Sequence, residues 1–313
     1  MRKCYREKQH SPSIATAFSC LLPTPRTSLS TITLQDGVQE RSRKRSFIDA
    51  PLDMAQSLID SPLQEDDMTD TNSASEPIGR RAYAEFAERY ADIAPTKPQN
   101  ALYERPTTMA LLGEVNGMTV LDAGCGPGIC SKHLAQCGAT VHAFDVTPSM
   151  VELARDRCAG LSVDVVEGDL ATPLGWLPNQ SFDKILCSLA FDYVRDLQPT
   201  LKEFRRVARP GATLVFSMAH PMRDWMDERT RGETTYFATS QFGFYWSGFG
   251  EPKPYVQAYR RPLSDILNGL IDSGWVLDRF VEPQPQVEMK QASKHLYDEL
   301  SLAPAFICIR ARC

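Results

Sequence analysis

The sequence lacks several features that would assign it to a familiar class at once. Its nine cysteines include no Cys-x-x-Cys pair, so the spacing of a zinc ribbon is absent and we expect no metal site. No apolar run approaches the roughly 20 residues that a helix needs to cross a bilayer. Basic residues are not in excess, since 34 Lys and Arg stand against 39 Asp and Glu, for a net charge of -5. A mildly acidic chain has no long-range field for a polyanion, which disfavours nucleic acid as a partner.

The charges that are present fall into blocks at the beginning of the chain. Residues 1–45 carry nine Lys or Arg and three acids, whereas residues 46–76 carry eight acids and no Lys or Arg. Both blocks are rich in Ser, Thr and Pro without a helical or strand period, so we predict that residues 1–75 form a disordered tail. A mitochondrial presequence in residues 1–45 and a translation start at Met68 remain alternatives. Cysteines in apolar runs, such as Cys187, favour a reducing cytosol.

Beyond the tail, apolar strand patterns alternate with amphipathic helix patterns as far as the end of the chain. This alternation predicts one α/β domain over residues 76–313, with a doubly wound, mostly parallel sheet and helices on both faces. The seven predicted strands cover residues 119–121, 140–144, 161–166, 182–188, 212–218, 275–281 and 305–310. The predicted helices cover residues 107–112, 129–137, 148–158, 197–207 and 263–273.

The most informative segment is the glycine-rich loop that follows the first predicted strand. It reads Asp122-Ala123-Gly124-Cys125-Gly126-Pro127-Gly128 and leads into a helix. Glycines here let a ligand approach the backbone closely at the carboxyl edge of the sheet. The dinucleotide fingerprint G-x-G-x-x-G requires a third glycine where this chain has Ile129, so that interpretation fails. The observed spacing resembles motif I of the class I S-adenosylmethionine-dependent methyltransferases.

Three further features occur in the order that this resemblance requires. Asp145 ends the second strand, where a carboxylate can accept hydrogen bonds from ribose hydroxyls. Asp169 and Leu170 follow the third strand, where the family binds adenine. The segment 204–212, Phe-Arg-Arg-Val-Ala-Arg-Pro-Gly-Ala, resembles the helix and turn before the fifth strand in small-molecule enzymes of the ubiquinone and menaquinone biosynthesis type.

The resemblance covers residues 80–313 and implies a Rossmann-like methyltransferase fold with S-adenosyl-L-methionine as the cofactor. The residues that it places at the cofactor are Asp122, Gly124, Cys125, Gly126, Gly128, Asp145, Val146, Asp169, Leu170 and Ser188. The methyl carbon of this cofactor is already electrophilic, so the protein mainly has to hold an acceptor in line with it. A hydroxyl acceptor also benefits from a general base, and His220, at the carboxyl end of the fifth strand, is the candidate. A structural role for His220 is the alternative.

Aromatic residues predict where the acceptor binds. Tyr83, Phe86 and Tyr90 share one helical face near the start of the domain, and the predicted insertion 221–262 contains ten aromatic residues. We expect these segments to cover the carboxyl edge of the sheet and to bind an apolar or aromatic acceptor. The residues assigned to acceptor binding are Tyr83, Tyr90, Tyr236, Phe237 and Trp246. An edge hairpin packed on the core, or a dimer contact, is the alternative for the insertion.

These observations predict a methyltransferase that acts on a small molecule as a monomer or homodimer. O-methylation is favoured, and S-, N- or C-methylation is possible. Methyltransferases that act on exocyclic amines of nucleic acids usually carry an (Asn/Asp)-Pro-Pro-aromatic tetrad after the fourth strand. This chain has Ser188-Leu189-Ala190-Phe191 at that place, and it has no Pro-Cys motif for attack on a ring carbon. A regulatory protein that binds the cofactor without turning it over is the alternative from another class.

Overall fold

The structure is a computed structural model that describes residues 76–230, 232 and 234–313. The tail predicted for residues 1–75, and the alternatives for it, lie outside the described residues. The division of the chain at residue 75 therefore stays a prediction. No helix among the described residues is long and apolar enough to cross a membrane.

The strands of the described residues are β1 Thr119–Ala123, β2 Thr140–Asp145, β3 Val163–Glu167, β4 Phe182–Ser188, β5 Ala208–Ala219, β6 Ser240–Tyr245, β7 Tyr255–Arg260, β8 Val276–Val281 and β9 Phe306–Arg312. Seven of them form one sheet in the order β3-β2-β1-β4-β5-β9-β8, which confirms the predicted doubly wound architecture. All neighbours in this sheet are parallel except that β9 runs antiparallel to both β5 and β8. The other two strands, β6 and β7, pair as a separate antiparallel hairpin.

Helices connect the strands and cover the sheet. A π-helical turn, Asn100–Glu104, leads directly into α3, and a 3₁₀ turn, Phe191–Tyr193, follows β4. The α-helices are α1 Ile78–Ala84, α2 Ala87–Ile93, α3 Arg105–Leu112, α4 Ile129–Gln136, α5 Pro148–Arg157, α6 Leu197–Val207, α7 Pro221–Arg229, α8 Leu263–Asp272, α9 Met289–Ala292 and α10 Lys294–Leu302.

The strands bury both faces because successive side chains point to opposite sides of the sheet. Leu121 of β1 and Ile185 of β4 pack in one hydrophobic cluster, whereas their neighbours Val120 and Leu186 pack in the cluster on the other face. All four side chains are fully buried. This two-sided burial explains why the central strands read as continuous apolar runs, and it holds their carboxyl ends at one edge.

Sequence and structure agree most closely in the middle of the chain. Both β4 and α6 have the predicted bounds, and Asp196 caps α6 by accepting a hydrogen bond from Gln198 N–H. The fifth strand is longer than predicted, because it begins at Ala208, which pairs with Phe182 of β4, and not at residue 212. Helices α7, α9 and α10 and strands β6 and β7 were not predicted as separate elements.

The insertion between β5 and α8 consists of α7 and the β6–β7 hairpin, so the hairpin alternative describes its backbone. Arg260 of β7 is almost fully buried, and its Nε lies 2.7 Å from Glu228 Oε2 on α7. The same guanidinium donates to Ser240 Oγ of β6 at 2.9 Å. A buried, multiply hydrogen-bonded ion pair of this kind fixes the hairpin against α7, since removing either partner would leave a buried charge uncompensated.

Candidate cofactor and acceptor site

The glycine-rich loop lies at the carboxyl end of β1. Two of its positions require glycine, each for a different structural reason. At Gly124, where φ is 73°, a Cβ would lie 2.5 Å from Ala190 Cβ. At Gly128, where φ is 77°, a Cβ would lie 3.0 Å from Ala154 Cα on α5. Gly124 thus permits close approach of the segment after β4, whereas Gly128 permits close packing of α4 on α5.

A cavity opens beside this loop and encloses about 920 Å³ of empty space, part of it open to solvent. Its size is suitable for a nucleoside-containing cofactor. Gly128 does not line it, which agrees with its contact to α5. The other residues that the sequence placed at the cofactor all line the cavity: Asp122, Gly124, Cys125, Gly126, Asp145, Val146, Asp169, Leu170 and Ser188.

Asp145 is fixed at the cavity wall by backbone groups on both sides. Its Oδ2 accepts from Gly126 N–H and its Oδ1 from Thr147 N–H, each at 2.9 Å. Burial raises the pKa of this carboxyl, and the two backbone donors oppose the rise. Because each carboxylate oxygen has a second acceptor position, Asp145 can still receive hydrogen bonds from a vicinal diol.

Asp122 stabilises the glycine-rich loop through a hydrogen bond to α4. Its side chain accepts a hydrogen bond of 2.5 Å from Ser131 Oγ on α4, and the residue is only 1% exposed. Burial raises its pKa to about 6, although the hydrogen bond from Ser131 acts in the opposite direction. Asp122 therefore ties the start of α4 to β1 and so holds the intervening glycines in place.

The loop after β3 forms the far end of the cavity. Asp169 and Leu170 line it together with Phe144 and Gly168. Thr200 Oγ1 donates to the Leu170 carbonyl at 2.7 Å, which anchors this loop to α6. Two apolar side chains beside one carboxylate suit a flat heterocycle that carries an amino group, as the resemblance to methyltransferases implied for adenine.

Two residues in or beside the cavity wall were not predicted from the sequence. Arg105 lines it and donates to the backbone carbonyls of Ala94 and Pro95 at 3.0 and 3.1 Å. The preceding residue, Glu104, is buried, and its Oε1 accepts from Ser188 Oγ at 2.9 Å. The sequence pattern around Arg105 could not predict this position, because the backbone at the end of α2 orients the side chain.

Aromatic side chains form part of the cavity wall. Tyr83 and Tyr90 line it as expected, and Tyr193, which was not predicted, lines it too. The Tyr83 and Tyr193 hydroxyls lie 2.8 Å apart. Burial raises the pKa of all three phenols, so they are neutral near pH 7. We call the following six residues the aromatic lid: Tyr83, Phe86, Tyr90, Tyr193, Trp246 and Phe249.

Of the three acceptor-binding residues predicted in the insertion, only Trp246 belongs to the aromatic lid. Trp246 does not itself line the cavity, but its ring packs against that of Tyr83, with centroids 6.1 Å apart, and against Phe249 at 4.8 Å. Tyr236 does not line the cavity, and its hydroxyl accepts from Leu263 N–H at 3.0 Å. Phe237 is 83% exposed. Their assignment to acceptor binding stays a prediction, and in this conformation both lie away from the cavity.

Both ring nitrogens of His220 are engaged. Nδ1 accepts from Met222 N–H at 3.2 Å and so caps α7, while Nε2 lies 3.0 Å from Glu282 Oε1. If Nδ1 accepts, Nε2 carries the proton and donates to Glu282, which leaves no free lone pair for a substrate proton. His220 is also absent from the cavity lining. This geometry favours the structural alternative for His220, and its role as a base stays a hypothesis.

Known proteins share this fold and this loop. Residues 121–216 match the family model of a methyltransferase domain. A demethylmenaquinone methyltransferase of Tropheryma whipplei is 34% identical over 38% of this chain and 49% of its own length. A malonyl-[acyl-carrier protein] O-methyltransferase of Yersinia pestis is 36% identical over 44% of this chain and 48% of its own length. The matched segments thus span about half the length of these two relatives.

A solved structure extends the similarity over more of the chain. The crystal structure of an S-adenosylmethionine-dependent methyltransferase from Mesorhizobium loti aligns with a TM-score of 0.54 and 26% identity. The alignment covers 67% of this chain and 97% of that one. The fold, the loop and these similarities define the class: the chain contains a class I S-adenosylmethionine-dependent methyltransferase domain.

Proposed function

We propose that the chain transfers the methyl group of S-adenosylmethionine to a small, apolar or aromatic acceptor, with an oxygen atom as the favoured target. The observation that carries this proposal is that Asp145 and three tyrosines of the aromatic lid, Tyr83, Tyr90 and Tyr193, line one cavity. One wall can hold a ribose while another offers phenol rings and hydroxyls to an acceptor. The similarity of this chain to an O-methyltransferase of Yersinia pestis supports oxygen as the target.

The bound cofactor supplies an electrophilic methyl carbon, and the residues of this chain supply binding and orientation. Asp145 and Asp169 are positioned to bind the nucleoside, and Gly124 lets it lie close to the backbone. Tyr83, Tyr90 and Tyr193 cover part of the cavity with aromatic surface, and a bound acceptor would displace water beside these rings, which strengthens polar contacts. The neutral Tyr83 and Tyr193 hydroxyls can donate hydrogen bonds to an oxygen of the acceptor and so orient it.

Methyl-labelled S-adenosylmethionine tests the proposal and separates it from cofactor binding alone. The protein is incubated with phenols, quinols, thiols and carboxylic acids, and label in each acceptor is measured. We expect transfer to at least one aromatic hydroxyl compound, and Asp145→Asn should reduce it at limiting cofactor. If the protein binds S-adenosylhomocysteine but no acceptor becomes labelled, the regulatory alternative is favoured instead.

The remaining inferences concern partners and location. We infer that the protein is a monomer or homodimer. We also infer that it does not act on nucleic acid, because the chain carries a net charge of -5. The seven cysteines among the described residues are free thiols, which favours a reducing compartment such as the cytosol.

A further inference from the structure

The cofactor cavity is lined by two sets of polar side chains with different chemistry. Carboxylates at or after the ends of strands β1, β2 and β3 form one set: Asp122, Asp145 and Asp169. Each of them already accepts a hydrogen bond from the protein, at 2.5, 2.9 and 2.8 Å respectively. Phenols of the aromatic lid form the other set: Tyr83, Tyr90 and Tyr193. The lid therefore contributes hydroxyl donors to the cavity.

Two of these hydroxyls form a hydrogen-bonded pair. Tyr83 of α1 and Tyr193 of the turn after β4 have their hydroxyl oxygens 2.8 Å apart. One hydroxyl donates to the other, so the accepting hydroxyl keeps its own hydrogen for a further partner. Burial raises the pKa of both phenols and of Tyr90, so all three stay protonated near pH 7. A protonated phenol donates a hydrogen bond readily but takes up a proton poorly.

Charged side chains near the three hydroxyls are mostly acidic. Those that interact with at least one of them are Asp145, Asp192, Glu104 and Arg105. Asp145 opposes an anion at this place, but the N–H groups of Gly126 and Thr147 partly compensate its charge. The positively charged sulfur of the cofactor attracts an anion. An anionic group beside the phenols would therefore be held by hydroxyl donors and by the charge of the cofactor.

Methyl transfer to oxygen makes different demands for a neutral and an ionised acceptor. A neutral hydroxyl must lose its proton as the O–C bond forms, so a proton acceptor has to lie beside it. An ionised oxygen forms the O–C bond with a lone pair, the C–S bond breaks with its electron pair left on sulfur, and no proton is released. The negative charge on oxygen and the positive charge on sulfur disappear together. Protonated phenols beside the oxygen suit the ionised acceptor.

We propose that the acceptor binds as an oxyanion, either a carboxylate or an acidic phenolate on an apolar or aromatic body, and that the Tyr83–Tyr193 pair donates a hydrogen bond to it. This inference rests on the proposed function, which it narrows to oxygen acceptors that ionise without help from the enzyme. A carboxylate can accept from the pair with one oxygen while the other attacks the methyl carbon. The product is then a methyl ester, whereas a phenolate gives a methyl ether.

The experiment uses two pairs of acceptors that share a ring and differ in acidity: benzoate with benzyl alcohol, and 4-nitrophenol with phenol. A phenol whose pKa is about 10 is ionised to roughly one part in a thousand at pH 7. With methyl-labelled S-adenosylmethionine, we expect label in benzoate, in 4-nitrophenol or in both, at least about a hundredfold faster than in the less acidic partner. Alkali releases labelled methanol from an ester but not from an ether, which separates the two sources. For the phenols, kcat/KM should rise with pH through the pKa of the acceptor itself.

The absorption spectrum of 4-nitrophenol reports its ionisation without turnover. When it is titrated into the complex with S-adenosylhomocysteine, below the pKa of the free compound, the bound form should show the phenolate band. Tyr193→Phe should weaken binding of the phenolate about tenfold to hundredfold, the value of a hydrogen bond to a charged group. Calorimetry should show that its affinity for S-adenosylhomocysteine stays within about twofold of the wild type.

Tyr103→Phe is the matched control. The Tyr103 hydroxyl accepts from Ala305 N–H at 3.0 Å and the residue is fully buried, but it does not line the cavity. This variant should lose stability without a change in phenolate affinity. The inference is overturned if bound 4-nitrophenol is neutral, if neither benzoate nor 4-nitrophenol binds, if the less acidic partners are labelled as fast, or if both Phe variants weaken phenolate binding equally. Phenolate binding without label in any acceptor would contradict the proposed function alone.

Discussion

One cavity is lined by the cofactor loop and by three tyrosines of the aromatic lid, but the loop and the lid are held by different means. Gly124, Asp122 and Asp145 sit on or directly after central strands, and their positions follow from buried sheet pairing and backbone hydrogen bonds. The lid joins residues from α1, α2, the turn after β4 and the hairpin through ring contacts. Because strand pairing and backbone hydrogen bonds hold the cofactor loop, we expect its residues to be rigid. The lid is made of side chains from distant segments, so we expect it to adapt to an acceptor.

The largest expected effect is at Gly124 on the rigid side. In Gly124→Ala, the new Cβ would meet Ala190 Cβ at 2.5 Å, and φ of 73° is unfavourable for alanine. Overpacking and the left-handed backbone together should cost about 2–5 kcal/mol of unfolding free energy and disrupt cofactor binding. Denaturant titration and calorimetry with S-adenosylhomocysteine measure the two effects.

Gly160→Ala is the control for the backbone contribution, because Gly160 has φ of 78° but no atom within 4 Å of its added Cβ. It should cost about 1–2 kcal/mol and leave cofactor affinity unchanged. Equal effects at Gly124 and Gly160 would mean that contact with Ala190 is unimportant.

Asp122 predicts a pH-dependent change in stability. Its pKa rises from 3.8 to about 6 on folding, so its favourable contribution is complete below about pH 4 and is lost as the pH rises through 6. Asp122→Asn keeps an acceptor for Ser131 and removes the buried charge. It should raise the free energy of unfolding by up to about 3 kcal/mol at pH 7.5, with little change at pH 4.

Asp183 provides the opposite control. Burial alone would raise the pKa of Asp183, but hydrogen bonds from Arg209 and Thr119 N–H lower it overall. Asp183→Asn should therefore destabilise the protein at pH 7.5, where Asp122→Asn stabilises it. Thermal unfolding at both pH values decides, and destabilisation by Asp122→Asn at pH 7.5 would show that its charge is favourable in the folded state.

Trp246 tests the adaptable side. Trp246→Leu removes ring contacts to Tyr83 and Phe249, worth about 0.5–1.5 kcal/mol per aromatic pair. We expect KM for the acceptor to rise about fivefold to tenfold, while the affinity for S-adenosylhomocysteine stays within about twofold. Trp225→Leu, in α7 of the same insertion, should leave KM unchanged, since Trp225 packs on Tyr236, which does not line the cavity, whereas Trp246 packs on Tyr83, which does. An equal loss of cofactor affinity in Trp246→Leu would contradict the division between loop and lid.

His220 should give the smallest effect if it is structural. Asparagine can replace its Nδ1 as the cap of α7, so His220→Asn should keep stability within about 0.5 kcal/mol, and His220→Ala should lose about 1 kcal/mol. Steady-state kinetics across pH distinguish this from catalysis. A kcat reduced about 10²–10⁴-fold in the Asn variant, and a wild-type rate that rises with pH where that of the Asn variant does not, would establish His220 as the base.

The same contrast explains how far the sequence could predict the structure. Sheet strands and their connecting helices carry local periods, and the glycine spacing is a local pattern, so the cofactor loop could be located before its geometry was known. Gly128 shows the limit: its spacing predicts contact with the cofactor, which stays a prediction, but the structure places it outside the cavity lining, where an added Cβ would meet Ala154. Arg105 and Tyr193 could not be predicted, because distant segments orient them. The Tyr83 and Tyr193 hydroxyls meet across 110 residues of sequence.

The most direct test of the central claim is a crystal structure of the protein with S-adenosylhomocysteine. The account predicts the ligand in the cavity beside Gly124, with the ribose hydroxyls hydrogen-bonded to Asp145 and the adenine against Leu170. The sulfur should face the aromatic lid, where an acceptor would lie. A ligand bound outside this cavity, or bound inside it with its ribose away from Asp145, would contradict the assignment of the site.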